Sequence, residues 1–112
     1  MTLSSRLCPE LLGTGRNRVV YRVSKRLVLK LALNDYGLSD NCIEHSRYRR
    51  YWQSDLVQYA PCRILSNGAL LMWYVEPLKT PTECPDWADY VDCRQVGRAH
   101  DGRIYAYDYG VS

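Results

Sequence analysis

Two Xaa-Gly dipeptides, each set between short alternating runs, commit this chain to an antiparallel plan. Asn67-Gly68 divides residues 62–65 from residues 69–75, and Asp101-Gly102 divides residues 95–99 from residues 104–107. Asn-Gly and Asp-Gly supply the positive φ angles that a two-residue hairpin needs, so each dipeptide predicts a tight hairpin. A glycine turn through Gly13-Thr14-Gly15 between Leu11-Leu12 and Val19-Val20-Tyr21-Arg22-Val23 predicts a third. Ser24-Lys25-Arg26 then leads into residues 27–33, where leucines at alternate positions line one face and Val28, Lys30 and Ala32 line the other.

Residues 34–38 break this strand pattern, and Asn41-Cys42-Ile43-Glu44 has the spacing of a capping box, which starts a helix at Asn41 and ends it near Ser54 or Asp55. On a helical wheel Tyr48, Tyr51, Trp52 and Leu56 share the core-facing arc, and Arg47, Arg49 and Arg50 fall outside it. Glu44 lands on the aromatic side. A lone buried carboxylate is costly, so Glu44 either meets a cation, with Lys30 the candidate, or completes the cap and faces water. Beyond residue 76 the composition turns to Pro, Thr and acid, a loop, and residues 86–91 form one helical turn before the last hairpin. The expected fold is α+β: an antiparallel sheet of about five strands with one long helix packed on it, plus a C-terminal β-hairpin.

A length of 112 residues suits one domain spanning 1–112, and 46% hydrophobic with 24% charged residues is ordinary for a globular chain. Ten Tyr and three Trp with no Phe leave most aromatic rings with a polar handle, which suits half-wet interfaces. A formal charge of +3 is too small to argue for nucleic acid. The five cysteines form an odd set with no C-x-x-C pair, so neither a zinc site nor a disulfide framework follows, and the expected compartment is a reducing cytoplasm. No signal-like or membrane-spanning apolar run is present in the sequence.

Residues that carry chemistry are few. Asp108 stands where the last ladder stops, just before Tyr109-Gly110, a placement that could serve a hard-metal ligand but on its own reads first as an ordinary Asp turn after a strand. Arg47-Tyr48-Arg49-Arg50-Tyr51-Trp52 interleaves cations with rings as nucleic-acid surfaces do, but the wheel accounts for it as an amphipathic helix. His45 and His100 are isolated, and Cys93 beside Asp92 is a free thiol whose common fate is burial.

The order of these parts resembles the small lobe of the protein-kinase-like fold with its magnesium-binding hairpin attached directly behind it. Gly13-x-Gly15-x-x-Arg18-x-Val20 is similar to the glycine-rich loop over ATP phosphates, Lys30 to the phosphate-pairing lysine and Glu44 to its helix partner. Met72-Trp73-Tyr74-Val75-Glu76-Pro77 resembles the hinge that reads adenine. Asp108-Tyr109-Gly110 resembles the D-F-G metal motif, with Gln95 thirteen positions earlier near the place of the metal-binding Asn. Arg18 replaces the third glycine and Gln95 the usual Asn. No H-R-D sequence precedes Gln95, and neither Asp89 nor Asp92 keeps the family spacing, so the catalytic base is unassigned.

The resemblance implies nucleotide contacts at Gly13, Gly15, Lys30, Glu44 and Glu76, and metal contacts at Asp108 and Gln95. With no large lobe expected after the D-Y-G sequence, nothing positions an acceptor hydroxyl. The favoured reading is therefore a non-catalytic kinase-like module that needs no cofactor and binds another protein through Arg47, Arg49, Arg50, Trp87 and Tyr90. By analogy it is a phage or mobile-element product that inhibits a host protein or defence complex. Nucleic acid and membranes are not expected partners, and a homodimer is one way to complete a cleft. The alternative is an ATP/Mg-dependent phosphotransferase or nucleotide-binding switch that uses Lys30, Glu44 and Asp108.

Overall fold

The computed structural model of the chain describes residues 9–54, 57–90 and 95–108. The readings placed on Leu56, Asp92, Cys93 and Tyr109-Gly110, and those on the Asp89 and Tyr90 side chains, lie outside the described set.

Strands β1 (Glu10–Thr14), β2 (Arg18–Arg22), β3 (Leu27–Ala32), β4 (Cys62–Ile64) and β5 (Leu70–Trp73) form one sheet in the order β1-β2-β3-β5-β4. Strands β6 (Val75–Pro77), β7 (Val96–Ala99) and β8 (Ile104–Ala106) form a second, in the order β6-β7-β8, and every pairing in both sheets is antiparallel. Helix α1 (Asp35–Tyr51) packs on β3, β4 and β5. Pro81–Glu83 and Asp86–Tyr90 are short 3-10 turns. The α+β expectation holds, with the hinge-like residues 75–77 adding a third strand to the terminal hairpin.

Both predicted hairpins form, but each loop holds three residues rather than two. Leu65 N–H donates to Ala69 O at 2.8 Å and Gly68 N–H to Leu65 O at 2.9 Å, and the Ala99, Arg103 and Gly102 amides and carbonyls repeat the pattern. Among the described residues the positive φ angles belong to glycine alone, +87° at Gly68 and +82° at Gly102. That is a type I turn closed by a glycine bulge. Asn67 and Asp101 keep ordinary φ because each side chain accepts from the amide two residues on, at 3.0 and 2.9 Å.

Tyr74 carries the chain from one sheet to the other, and residues 58–61 stitch the two together. Ala60 N–H donates to Ala106 O and Ala106 N–H to Gln58 O, both at 2.8 Å, while Trp73 N–H donates to Pro61 O at 2.9 Å. A single buried cluster runs through both sheets, from Val28, Leu70 and Met72 to Val75, Val96, Tyr105 and Ala106. Val28 and Lys30 are the buried positions of β3, so its buried face is the one opposite the leucines.

The helix departs most from expectation. Its N-cap is Asn34, whose Oδ1 accepts from Gly37 N–H at 3.0 Å, and Asn41 lies two turns inside with no exposure. The capping-box assignment at Asn41 is therefore corrected. A spacing of three also keeps two residues on one helix face, and Gly37, Asn41 and Glu44 form that buried stripe. Tyr48 continues it against the core, but Tyr51 and Trp52 are 44% and 56% exposed. They keep the azimuth of the stripe and sit at the helix end, where Tyr51 meets only the rim at Tyr59 (ring centroids 6.3 Å). A helical wheel resolves azimuth and not depth along the axis.

Cys84 is disulfide-bonded, while Cys42 and Cys62 are not part of a disulfide. Sequence spacing did not announce the bond, because loops decide which thiols come within bridging distance. No helix among the described residues is long and apolar enough to cross a membrane.

Candidate functional site

Strand alternation brings four side chains to one cleft between the sheets. Arg18 and Val20 project from the same face of β2, and Val28 and Lys30 do so from β3, where Lys30 lies opposite Val20 in register. Helix α1 supplies Asn41 and Glu44 from its buried stripe, and the backbone leaving β8 delivers Tyr107 and Asp108.

There the charges form a continuous chain. Lys30 Nζ donates to Glu44 Oε1 at 2.7 Å and to the Tyr107 carbonyl at 2.5 Å. Arg18 Nη2 reaches Glu44 Oε2 and Asp108 Oδ1, each at 3.0 Å, and its Nη1 donates to Asn41 Oδ1 at 3.1 Å. Asn41 turns its amide to the carbonyls of Lys30 (3.1 Å) and Gly68 (2.9 Å), and Gln95 Nε2 approaches Asp108 Oδ2 at 3.4 Å. Every buried side-chain nitrogen and oxygen among the described residues has a partner. The open question about Glu44 resolves to the cation: it is fully buried and pairs with both Lys30 and Arg18.

Two cations and two carboxylates leave the cluster neutral, and its electrostatics follow from that. Burial alone would push the Glu44 carboxyl up, but Lys30 and Arg18 overcome it and hold it at about 2. Burial also pushes Asp108 up, and there Glu44 adds to the rise against the pull of Lys30 and Arg18. The Arg18 guanidinium is raised further, because Glu44 and Asp108 outweigh the burial that opposes its charge.

Beside the cluster lies a cavity of about 340 Å³, apolar over most of its wall. Leu12, Gly13, Val20 and Val28 roof it, Trp73, Tyr74, Val75 and Pro77 form its side, and Arg18, Lys30, Tyr107 and Asp108 its polar end. Gly13 faces open space, and Gly15, off this lining, donates its amide to Arg18 O at 2.8 Å. The Leu78 to Val96 bond (3.2 Å) and the β6–β7 register turn the Glu76 N–H and C=O toward β7, and Val75 lines the cavity. The Glu76 side chain is exposed and off the lining.

A divalent cation does not fit the donors present. Mg²⁺ asks for near-octahedral oxygens, commonly one or two carboxylates with water and phosphate. Here Asp108 is bound to a guanidinium on one oxygen and faces an amide on the other, and both Glu44 oxygens are held by cations. A dication against Asp108 would also stand close to the Arg18 charge. No group of three His, Cys, Asp or Glu that could hold a metal exists among the described residues.

The surface residues are dispersed. Arg49 and Arg50 are exposed on α1 and Arg47 is half-buried, while Trp87 is half-buried against the core. Arg47 and Arg50 help line a shallow groove along the outer helix face with Ile43 and Tyr51. Sequence reasoning noted Arg18 only as a missing glycine and took Asn41 for a cap. The available signal was alternation, since an arginine two positions before Val20 on an inward strand face points where Val20 points.

No family model and no curated protein matches the sequence. Among solved structures the chain is similar to the GDP complex of wild-type aminoglycoside 2'-phosphotransferase-IIIa, at 17% identity over 77% of this chain with a TM-score of 0.46. It is also similar to the GDP complex of a mutant of that enzyme, at 17% identity over 77% of this chain and a TM-score of 0.43. The chain spans one third of those chains, 33% in each case.

Proposed function

We propose that this chain is a kinase-like small lobe that does not transfer phosphoryl groups and works by binding another protein. The kinase-like part of the reading is supported by convergence: a strand lysine, a helix glutamate and the aspartate after β8, scattered over the sequence, meet in one charge cluster with Lys30 and Glu44 2.7 Å apart, and Gly13 of β1 lines the cavity beside it. One observation carries the non-catalytic part. The Arg18 guanidinium holds one carboxylate oxygen of Asp108, the side chain that on the kinase-like reading would meet a phosphate-bridging metal. Extended further, the reading has a mobile-element product occupying a host protein, with the arginines of α1 at the contact.

The direct test is turnover. The purified chain with millimolar Mg-ATP should release no more ADP than buffer; release that disappears in Asp108→Ala would overturn the proposal. For the partner, capture by the full chain from its native host should weaken in Arg49→Glu and Arg50→Glu, and capture that ignores both reversals rejects the α1 surface.

Nucleotide binding without transfer is a second reading, favoured by the cavity lined by Gly13, Lys30 and Val75. A ligand that binds only the folded state adds RT ln(1 + [L]/Kd), about 2.7 kcal/mol at a hundredfold excess over Kd. On this reading Mg-ATP or metal-free ATP raises the melting temperature; an unmoved melt removes it.

A further inference from the structure

We propose that Arg18 is a resident cation: from inside the chain it neutralises and clamps the Glu44 and Asp108 carboxylates, so the site stays assembled without a metal and is closed to one. The inference rests on the non-catalytic reading of this site and extends it from what the cleft lacks to what stands in its place.

Three observations carry it. First, one guanidinium extending from β2 ties down two other parts of the fold, α1 through Asn41 and Glu44, and the segment after β8 through Asp108. Second, Arg18 is only 9% exposed and Asn41 and Glu44 are fully buried, so water competes little for those two contacts, while the Asp108 contact is part-buried. Third, the charges balance only with Arg18 present. Without it, two carboxylates converge on a single lysine, and a carboxylate pair with one cation among oxygen acceptors is an environment that draws a hard cation. Lys30 cannot replace it, because its ammonium is committed to Glu44 and to the Tyr107 carbonyl.

A consequence is that removing Arg18 should create a metal site where the described residues offer none. The full chain is titrated with MnCl2 at fixed ionic strength, reading the free-ion electron paramagnetic resonance signal and the thermal melt together. Wild type should leave the free Mn²⁺ signal undiminished and its melt unmoved. Arg18→Ala should melt several degrees lower, take up Mn²⁺ close to stoichiometrically, and regain most of the lost melting temperature when it does. Adding Asp108→Asn to Arg18→Ala should abolish the uptake. Arg18→Lys, which restores a charge, should take up no Mn²⁺. If Arg18→Ala does not fold, Arg18→Gln, of similar reach and no charge, carries the same comparison. Uptake by wild type, or a folded Arg18→Ala or Arg18→Gln that takes up none, overturns the inference. Neither result touches the turnover experiment, which judges the non-catalytic reading separately.

Discussion

Replacing Glu44 by alanine should remove a large part of the stability of this chain. The side chain is fully buried and, among the described residues, is the only carboxylate bonded to both Lys30 and Arg18, so its loss strands two cations with Asp108 to answer them. Breaking a buried ion pair from one side costs about 3–5 kcal/mol, against a total of about 5–15 kcal/mol for a domain. Urea denaturation followed by circular dichroism would show a large drop in the midpoint, or a chain already unfolded in buffer. A cost below 1 kcal/mol would mean that the cluster is not closed in solution. A double-mutant cycle with Lys30→Met should be strongly less than additive, because the second change removes a charge the first left unpaired.

The same residue sets an acid limb. Glu44 is depressed from 4.5 to about 2 in the folded chain, so its contribution is fully present above about pH 4.5 and is lost as pH falls through about 2. The difference corresponds to about 3 kcal/mol. Asp108 acts with the opposite sign: its folded pKa is raised, so its protonation on the way down favours the fold and offsets part of that loss. Urea midpoints measured from neutrality into acid should fall for wild type and fall less steeply for Glu44→Gln. Parallel profiles would remove Glu44 as the source.

Gly37→Ala should destabilise the chain although alanine is the better helix former by about 1 kcal/mol. A Cβ at Gly37 would stand 2.2 Å from the Asn17 carbonyl oxygen and 3.0 Å from the Ala32 Cα, both backbone atoms. The Asn17 carbonyl is also fixed by Leu33 N–H at 2.8 Å, so it cannot step aside cheaply. The helix start must lift instead, moving Asn41 and Glu44, one and two turns on. Overpacking of this kind typically costs about 1–3 kcal/mol, which outweighs the propensity gain. The thermal melt should drop, and amide exchange along α1 should quicken. A melt at or above wild type would show that α1 sits further from the β1–β2 turn.

Much of the fold could be read locally. Alternation and turn chemistry are properties of neighbouring residues, which is why the strands, the hairpins and the placing of Lys30 on the face opposite the leucines were visible, while which face is buried was not and the loop length was misjudged. The helix was harder because its buried stripe is Gly37, Asn41 and Glu44 rather than an apolar run. A polar stripe reads as solvent-facing until its partners are known. Asn41 and Glu44 therefore offered a cap, and Tyr51 and Trp52 offered a core face that the end of the helix does not provide.

The sequence by itself determined an antiparallel α+β chain and the candidate roles of Lys30, Glu44 and Asp108, because strand period, turn residues and motif order are written in consecutive positions. Only the tertiary structure decided that Arg18 sits between Glu44 and Asp108, that Asn41 is interior, and that Val75 rather than Glu76 lines the cavity. Charge compensation is the physical reason. Whether a cation and an acid neutralise one another depends on a few ångströms across elements separated by 26 and 90 residues, a distance that no local pattern encodes.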